Sequence, residues 1–100
     1  MYIIDFSISA LEDLRNIKSY LEENYGESVA LGKIREISRR VRRLEQFPLT
    51  GVSLSNLVKS SLNYRYLVVE KNYVFYRIDN NRIKIIRILN ERQDFIKLLF

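Results

Sequence analysis

Arginines inside predicted β-strands are the residues of this 100-residue sequence best suited to chemistry. Arg65, Arg77 and Arg87 lie in three separate β-rich segments, although strands favour β-branched and aromatic residues. A guanidinium fork matches the geometry of a phosphate, and the ring of Tyr73 offers a surface on which a base can stack. If the three arginines converge, they line a basic groove with Tyr73 and Arg92 at its edge.

Alternation along a strand predicts which residues share a face with each arginine. It groups Arg65 with Leu67 and Val69, Arg77 with Tyr73 and Phe75, and Arg87 with Ile83, Ile85 and Leu89. The register between strands decides whether the groups meet, and the sequence leaves it open. The alternative is that the arginines extend to solvent at the rim of the sheet or pair with nearby acids, namely Glu70, Asp79, Glu91 and Asp94.

The composition excludes several kinds of chemistry. There is no histidine and no cysteine, which removes imidazole and thiolate zinc sites, Ser-His triads and the usual proton shuttle near pH 7. RNA cleavage would then need arginines to stabilise the transition state and a Tyr, Lys or Glu of shifted pKa to move protons. No carboxylate pair has a spacing that suggests a metal nuclease, and no P-loop or Rossmann glycine pattern is present, so we expect neither a metal nor a cofactor.

The charge is unevenly distributed around a net of +5. Residues 1–27 carry two basic against six acidic groups, a net of −4. Residues 28–50 carry six against two, a net of +4, and residues 51–100 carry nine against four, a net of +5. Such a field attracts nucleic acid or an acidic protein partner, and the alternative is a solvated basic surface kept for solubility.

The elements that must position these residues form one α+β domain over residues 1–100, in the order β-α-α-β-β-β. We expect a helix hairpin packed on a mainly antiparallel sheet. The first helix is capped by Ser7 or Ser9 and ends near Gly26, and Asp13 adds charge that favours its N-terminus. The predicted segments are a strand over 1–6, a second helix over 28–46, a loop over 49–63, and strands over 64–70, 73–79 and 82–89.

Apolar spacing predicts the buried side of each helix. The stripe of the first helix is Leu11, Leu14, Ile17 and Leu21, and that of the second is Ala30, Ile34, Ile37, Val41 and Leu44. Lys71-Asn72 and Asn80-Asn81 are the expected hairpin turns, since Asn tolerates positive φ. No apolar run approaches the roughly 18 residues of a membrane span, and the first residues lack signal-peptide character, so we expect a cytoplasmic protein with no membrane partner.

Four stretches of the sequence resemble the RelE/ParE toxin superfamily, and together they cover nearly the whole chain in the family's order. The resemblance implies a helix hairpin on a sheet, and a toxin of a type II toxin–antitoxin pair whose partner is a cognate antitoxin. The stretches are SALEDLRNI at 9–17, LEQFPLTG at 44–51, YRYLVV at 64–69 with YVFYRI at 73–78, and IKIIRIL at 83–89 with ERQD at 91–94.

The family divides by target: ParE-like members poison DNA gyrase, whereas RelE-like members cut mRNA on the ribosome with basic residues of the sheet face. The long helix pair favours the ParE-like branch, and so does the pattern Arg65-x-Leu67-x-Val69 followed by Tyr73-x-x-Tyr76-Arg77. Many relatives carry a histidine near Asn90, which this chain lacks, and only Arg65 stands where some RelE-like enzymes have paired lysines. A ribosome-dependent endonuclease, an inactive or repurposed member, and a non-catalytic nucleic-acid-binding domain stay open as alternatives.

Three sets of candidate site residues follow. A RelE-like activity would use Arg65, Arg77, Arg92 and Tyr73 as its catalytic residues. Arg87, Lys71 and Arg82 are the candidates for nucleic-acid contacts. For partner binding, we expect the basic helix face and the apolar tail to matter, through Arg39, Arg43, Phe95, Leu98, Leu99 and Phe100.

Overall fold

The chain folds as two helices on one face of a five-stranded sheet, in a computed structural model that describes residues 1–54 and 63–93. This confirms the predicted α+β class. The elements are the strand β1 (Ile3–Phe6), the helices α1 (Ile8–Tyr25) and α2 (Glu27–Arg42), and the strands β2 (Val52–Ser53), β3 (Tyr64–Val69), β4 (Asn72–Asp79) and β5 (Arg82–Asn90). Within the described residues, neither helix is long and apolar enough to cross a membrane.

The helix hairpin begins at a serine cap and turns at a glycine. Ser7, the first of the two predicted candidates, accepts the Ala10 amide N–H on its Oγ at 3.0 Å. Gly26, at φ +92°, joins α1 to α2 in a conformation that costs glycine little because it has no Cβ. The second helix continues directly into a 3-10 turn over Arg43–Glu45.

The helices bury one stripe each against the sheet. In α2 the predicted seam is confirmed, since Ala30, Ile37, Val41 and Leu44 are buried and Ile34 packs against them. In α1 the inclusion of Leu11 is wrong, because this side chain is 41% exposed. The buried residues of α1 are instead Ala10 and Asp13, and Leu14 and Ile17 pack against the core.

The strand order is β1-β5-β4-β3-β2, with β1 parallel to β5 and the other pairs antiparallel. The meander of β3, β4 and β5 is as predicted. Part of the segment predicted as a loop over 49–63 forms the two-residue strand β2, which pairs with Tyr66 and Arg65 of β3. Residues 55–62 of that loop lie outside the described chain.

The two hairpin turns use left-handed backbone conformations. Glu70 and Lys71 have φ of 51° and 65°, so this turn lies one residue before the predicted Lys71-Asn72. Asn72 instead begins β4, where it is buried and donates its Nδ2 to the Glu70 carbonyl at 2.9 Å. Asn80, at φ 56°, occupies the second predicted turn.

A β-bulge in the pairing of β4 with β5 changes which side chains share a face. The register passes from Phe75 opposite Arg87 to Tyr76 opposite Ile85, so Ile86 has no partner on β4. One extra residue reverses the alternation. The prediction that Arg87 shares a face with Ile83 and Ile85 is therefore wrong: those isoleucines lie in the helix-side core, while Arg87 faces away from it.

Candidate functional site

The face of the sheet opposite the helices, here called the open face, has two halves of different chemistry. The aromatic half is the cluster of Leu54, Tyr66, Tyr73, Phe75 and Leu89, and Tyr64 borders both halves. The cationic half lies towards the turn between β4 and β5. Its central row runs across β3, β4, β5 and β1 through the register-aligned residues Tyr64, Arg77, Lys84 and Asp5.

A cavity of about 380 Å³ opens in the cationic half. Arg77 lies over the Tyr64 ring, with its Cζ 5.9 Å from the ring centroid and its Nη1 3.4 Å from the Tyr64 hydroxyl. The Arg77 Nε is buried and has no hydrogen-bond partner among the described residues. The lining residues are Ser7, Ser9, Tyr64, Arg77, Lys84, Ile86 and Arg87.

Arg87 is fixed in this cavity by a buried carboxylate. Its Nε and Nη2 donate to the two oxygens of Asp13 at 2.8 and 2.9 Å, and this hydrogen bonding raises the pKa of Arg87. Asp13 Oδ2 also accepts the Ile88 amide N–H at 2.9 Å. Because β1 pairs with β5 only as far as Ile85, Asp13 supplies the acceptor that a neighbouring strand would otherwise provide.

Sequence reasoning missed this role, since it interpreted Asp13 only as a charge that favours the N-terminus of the helix. Asp13 is 9% exposed instead. The signal was present in the helical spacing, because an acid three residues after Ala10 and four before Ile17 falls on the apolar side of α1. A buried acid needs a partner, and a strand arginine is the natural one.

Arg65 does not join the other strand arginines, because it lies on the helix side of the sheet, opposite the fully buried Tyr76. Its Nη1 donates to the Gly51 carbonyl at 2.7 Å. The Tyr76 hydroxyl accepts the Gly51 amide N–H at 2.9 Å and donates to the Pro48 carbonyl at 2.7 Å. Arg65 and Tyr76 thus fasten the chain between α2 and β2, and burial raises the pKa of Tyr76.

Gly51 is the residue that allows this close packing. A Cβ at this position would lie 2.5 Å from the Tyr76 hydroxyl and 2.8 Å from the Tyr66 carbonyl oxygen. Both distances are shorter than van der Waals contact, so a larger residue would push the turn away from Tyr76.

Arg92 and Tyr73 lie outside the cavity of the cationic half, each in a different part of the molecule. Arg92 donates from Nη2 to the Tyr20 hydroxyl and from Nε to the Asn90 Oδ1, each at 3.1 Å, and the bond to Tyr20 raises the pKa of Arg92. It lines a second cavity, of about 690 Å³, between α1 and the end of β5. Tyr73 packs in the aromatic half, with ring centroids 5.6 Å from Tyr66 and 6.2 Å from Phe75.

The remaining candidates are dispersed over the surface. Arg82 pairs with Asp5 at 2.8 Å on the exposed side of β1 and β5. Arg39 pairs with Glu36 at 2.6 Å on α2, which lowers the pKa of Glu36 and raises that of Arg39. Lys71 lines the second cavity from its turn, and Arg43 is exposed. The tail candidates Phe95, Leu98, Leu99 and Phe100 lie outside the described residues.

Of the strand arginines and Tyr73, the structure therefore brings together only Arg77 and Arg87. It adds Lys84, which the sequence had not singled out, at the same cavity. Within residues 1–54 and 63–93, no group of three His, Cys, Asp or Glu side chains is placed to hold a metal ion.

Solved structures of toxins share this fold. A chromosomal ParDE toxin–antitoxin system from P. aeruginosa matches with a TM-score of 0.76 and 24% identity, over 90% of this chain and 96% of that chain. The E. coli DinJ–YafQ complex matches with a TM-score of 0.59 and 13% identity, over 91% and 94%. The S. aureus YoeB–YefM complex matches with a TM-score of 0.54 and 22% identity, over 89% and 95%.

These likenesses show the fold, two helices on a mixed, mainly antiparallel five-stranded sheet. Residues 4–95 match the family described as the ParE toxin of the type II toxin-antitoxin system parDE, and the chain belongs to this family. No curated protein sequence gives a significant match. The resemblance seen in the sequence is confirmed at the level of the superfamily and of its ParE branch.

Proposed function

We propose that this ParE-family toxin arrests growth by poisoning DNA gyrase and that it acts by binding rather than by cutting RNA. The observation that carries the proposal is the dispersal of the candidate catalytic side chains. Cleavage of a phosphodiester without a metal needs a base, an acid and a charge stabiliser within hydrogen-bond reach of one phosphate. Arg65 lies on the helix side of the sheet, whereas Arg77 lies on the open face.

Arg92 lies far from Arg77 along the strands. Arg77 is opposite Lys84, and Arg92 is bonded to Asn90, six residues further along β5. At a rise of about 3.3 Å per residue, Lys84 and Asn90 are roughly 20 Å apart along β5, and Arg77 and Arg92 are separated by a similar distance. Tyr73 is held among aromatic rings. This spacing supports a toxin that binds its target over the ribosome-dependent endonuclease, which is the alternative function.

We further propose that a cognate antitoxin neutralises the toxin and that both act in the cytoplasm. Two of the structural neighbours are complexes of YoeB with YefM and of YafQ with DinJ, which supports a protein partner here. Arg39 and Arg43 are exposed on the basic side of α2 and its 3-10 turn, where they suit an acidic antitoxin segment that folds on contact.

The test of the target is made first with purified components. The full-length chain is added to bacterial DNA gyrase, ATP and plasmid DNA, and linear DNA is measured after protein digestion. We expect cleaved plasmid to accumulate only when toxin, gyrase and DNA are together. Unchanged supercoiling and no cleaved plasmid, with a folded toxin, would count against gyrase as the target.

A second experiment separates binding from catalysis in cells. Shortly after induction without antitoxin, we expect thymidine incorporation to fall before methionine incorporation, for the wild type and for Tyr73→Phe alike. This variant keeps the packed ring but loses the hydroxyl that a nuclease would use. Early loss of methionine incorporation, abolished by Tyr73→Phe, would support the RNA-cleaving alternative.

A further inference from the structure

We propose that the cavity of the cationic half is a phosphate-binding site, which takes one phosphate group of a nucleotide or of a nucleic acid backbone. The inference rests on the geometry of the cavity and holds whether the toxin acts on gyrase or on the ribosome. Its key residues are Arg77 and Lys84, with Arg87 as a supporting wall. This site lies at the other end of the strands from Arg92.

The charge balance of the cavity favours an anion. Arg77 and Lys84 are direct neighbours across β4 and β5, and Arg87 lines the same space. Asp13 neutralises Arg87, and exposed Asp79 lies 3.8 Å from the Arg77 Nη2. Lys84 has no ion pair within the described part of the chain. Asp5 lies opposite Lys84 in the register of β1 with β5, but its carboxylate pairs with Arg82 at 2.8 Å instead.

Unused hydrogen-bond donors point to the same conclusion. The Arg77 Nε is buried without a partner among the described residues. A buried donor of this kind costs free energy unless it is satisfied, and an anion in the cavity would satisfy it. Ser9 also lines the cavity, at the start of α1, where a helix leaves its first amide N–H groups without intrahelical acceptors.

The arrangement suits a tetrahedral oxyanion better than a carboxylate. A carboxylate is planar and is satisfied by one guanidinium fork, as Asp13 is by Arg87 in this same region. Arg77, Lys84 and Ser9 come from three different elements and line one space. A phosphate can accept from several directions at once. The volume of about 380 Å³ lies within the roughly 300–1,000 Å³ of pockets that hold small ligands.

The first measurement uses inorganic phosphate and the full-length ¹⁵N-labelled chain at constant ionic strength. We expect saturable shifts of the Arg77 Nε–H resonance and of the Ser9 and Lys84 amides, with no such change when chloride replaces phosphate. Lys84→Gln should weaken binding about fivefold or more, because it removes a cation of the site. The matched control Lys18→Gln removes an exposed lysine of α1 and should change binding less than twofold.

The second measurement uses a fluorescein-labelled DNA oligonucleotide and its anisotropy at several salt concentrations. We expect Lys84→Gln and Arg77→Gln to weaken binding about fivefold to tenfold and to lower the salt slope by about one. Arg42→Gln and Lys18→Gln, which remove exposed charges from the helices, should leave the slope nearly unchanged. Thermal unfolding of each variant checks that the fold is retained.

Four outcomes of these measurements distinguish the possible ligands of the cavity. Binding of both probes, weakened by Lys84→Gln but not by the control Lys18→Gln, supports a site for a single phosphate group. Binding of the oligonucleotide alone, with the same sensitivity, supports a site for the nucleic acid backbone. Equal losses in Lys84→Gln and Lys18→Gln would reduce the effect to net charge and overturn the proposal. Displacement by a glutamate-rich peptide with no response to phosphate would overturn it in favour of a carboxylate partner.

Discussion

The two halves of the open face are built on the same strands but have different physical roles. In the aromatic half, Phe75 and Leu89 are 3% and 0% exposed and pack with tyrosine rings. In the cationic half, Lys84 is exposed and Arg77 is half-buried beside an open cavity. The boundary is the bulge after Phe75, which also places Arg87 on this face. The packed aromatic cluster and the proposed phosphate site are thus separated along the strands rather than across the sheet.

The sharpest test of this comparison removes the centre of the aromatic half. Phe75→Ala should lower the free energy of unfolding by about 3–4 kcal/mol, because it leaves a cavity among Tyr66, Tyr73 and Leu89. Urea unfolding followed by circular dichroism measures the change. Lys84→Gln on the same face is the control, with an expected change below about 0.5 kcal/mol. Equal stability losses in the two variants would show that the halves are not distinct.

Asp13→Ala should have the next largest effect, because Asp13 joins α1 to the cationic half. Loss of its carboxylate removes the partner of Arg87 and of the Ile88 amide, at a cost of about 3 kcal/mol. Chemical denaturation measures this loss. The control Glu12→Ala deletes an exposed carboxylate one residue earlier and should change stability by less than about 0.5 kcal/mol. A small effect of Asp13→Ala would mean that the buried ion pair contributes little.

Tyr76→Phe tests the helix side of the sheet, just beyond the bulge. The substitution leaves the Gly51 amide and the Pro48 carbonyl without their hydroxyl partner, which should cost about 1–2 kcal/mol. Thermal and urea unfolding at pH 7 measure it. The conservative Tyr20→Phe, at a side chain 37% exposed, should cost less.

The same tyrosine predicts a pH dependence. Burial raises the pKa of Tyr76 above its ordinary value of 10.0. The folded state therefore favours the protonated hydroxyl of Tyr76 more than the unfolded state does. This protonated hydroxyl contributes fully to stability below pH 10, and the contribution is lost as the pH rises through the pKa of the folded state. The free energy of unfolding should therefore fall above about pH 10, and less steeply in Tyr76→Phe. Equal slopes in both proteins would contradict this assignment.

The elements could be predicted from the sequence because their signals are local. The seam of α2, the Gly26 turn and the meander of the last strands all follow from spacing and turn residues. The two-residue strand β2 has no local pattern of its own, since it exists only by pairing with β3. The β1–β5 pairing is equally non-local, because it joins the first and last strands.

The site was harder to predict, for the same physical reason. Alternation correctly grouped Arg65 with Leu67 and Arg77 with Phe75, but only the structure shows that the two groups lie on opposite faces of the sheet. Alternation failed at Arg87, because the bulge inserts one residue into β5 and no glycine marks the bulge in the sequence. The contact between Asp13 and Arg87 spans 74 residues, and only the folded chain brings the two together.

The smallest expected effect distinguishes the two ion pairs that the cationic half makes with acids of the first elements. Arg82 and Asp5 have side chains 56% and 46% exposed, against 23% and 10% for Arg87 and Asp13. Arg82→Gln should therefore change stability by less than about 0.5 kcal/mol, because water already solvates both charges and salt screens them. Urea unfolding of the variant and the wild type at low and high salt measures this. A loss of stability near that of Asp13→Ala would mean that the pair of Arg82 and Asp5 is shielded from water. The exposed character assigned to the cationic half would then be wrong.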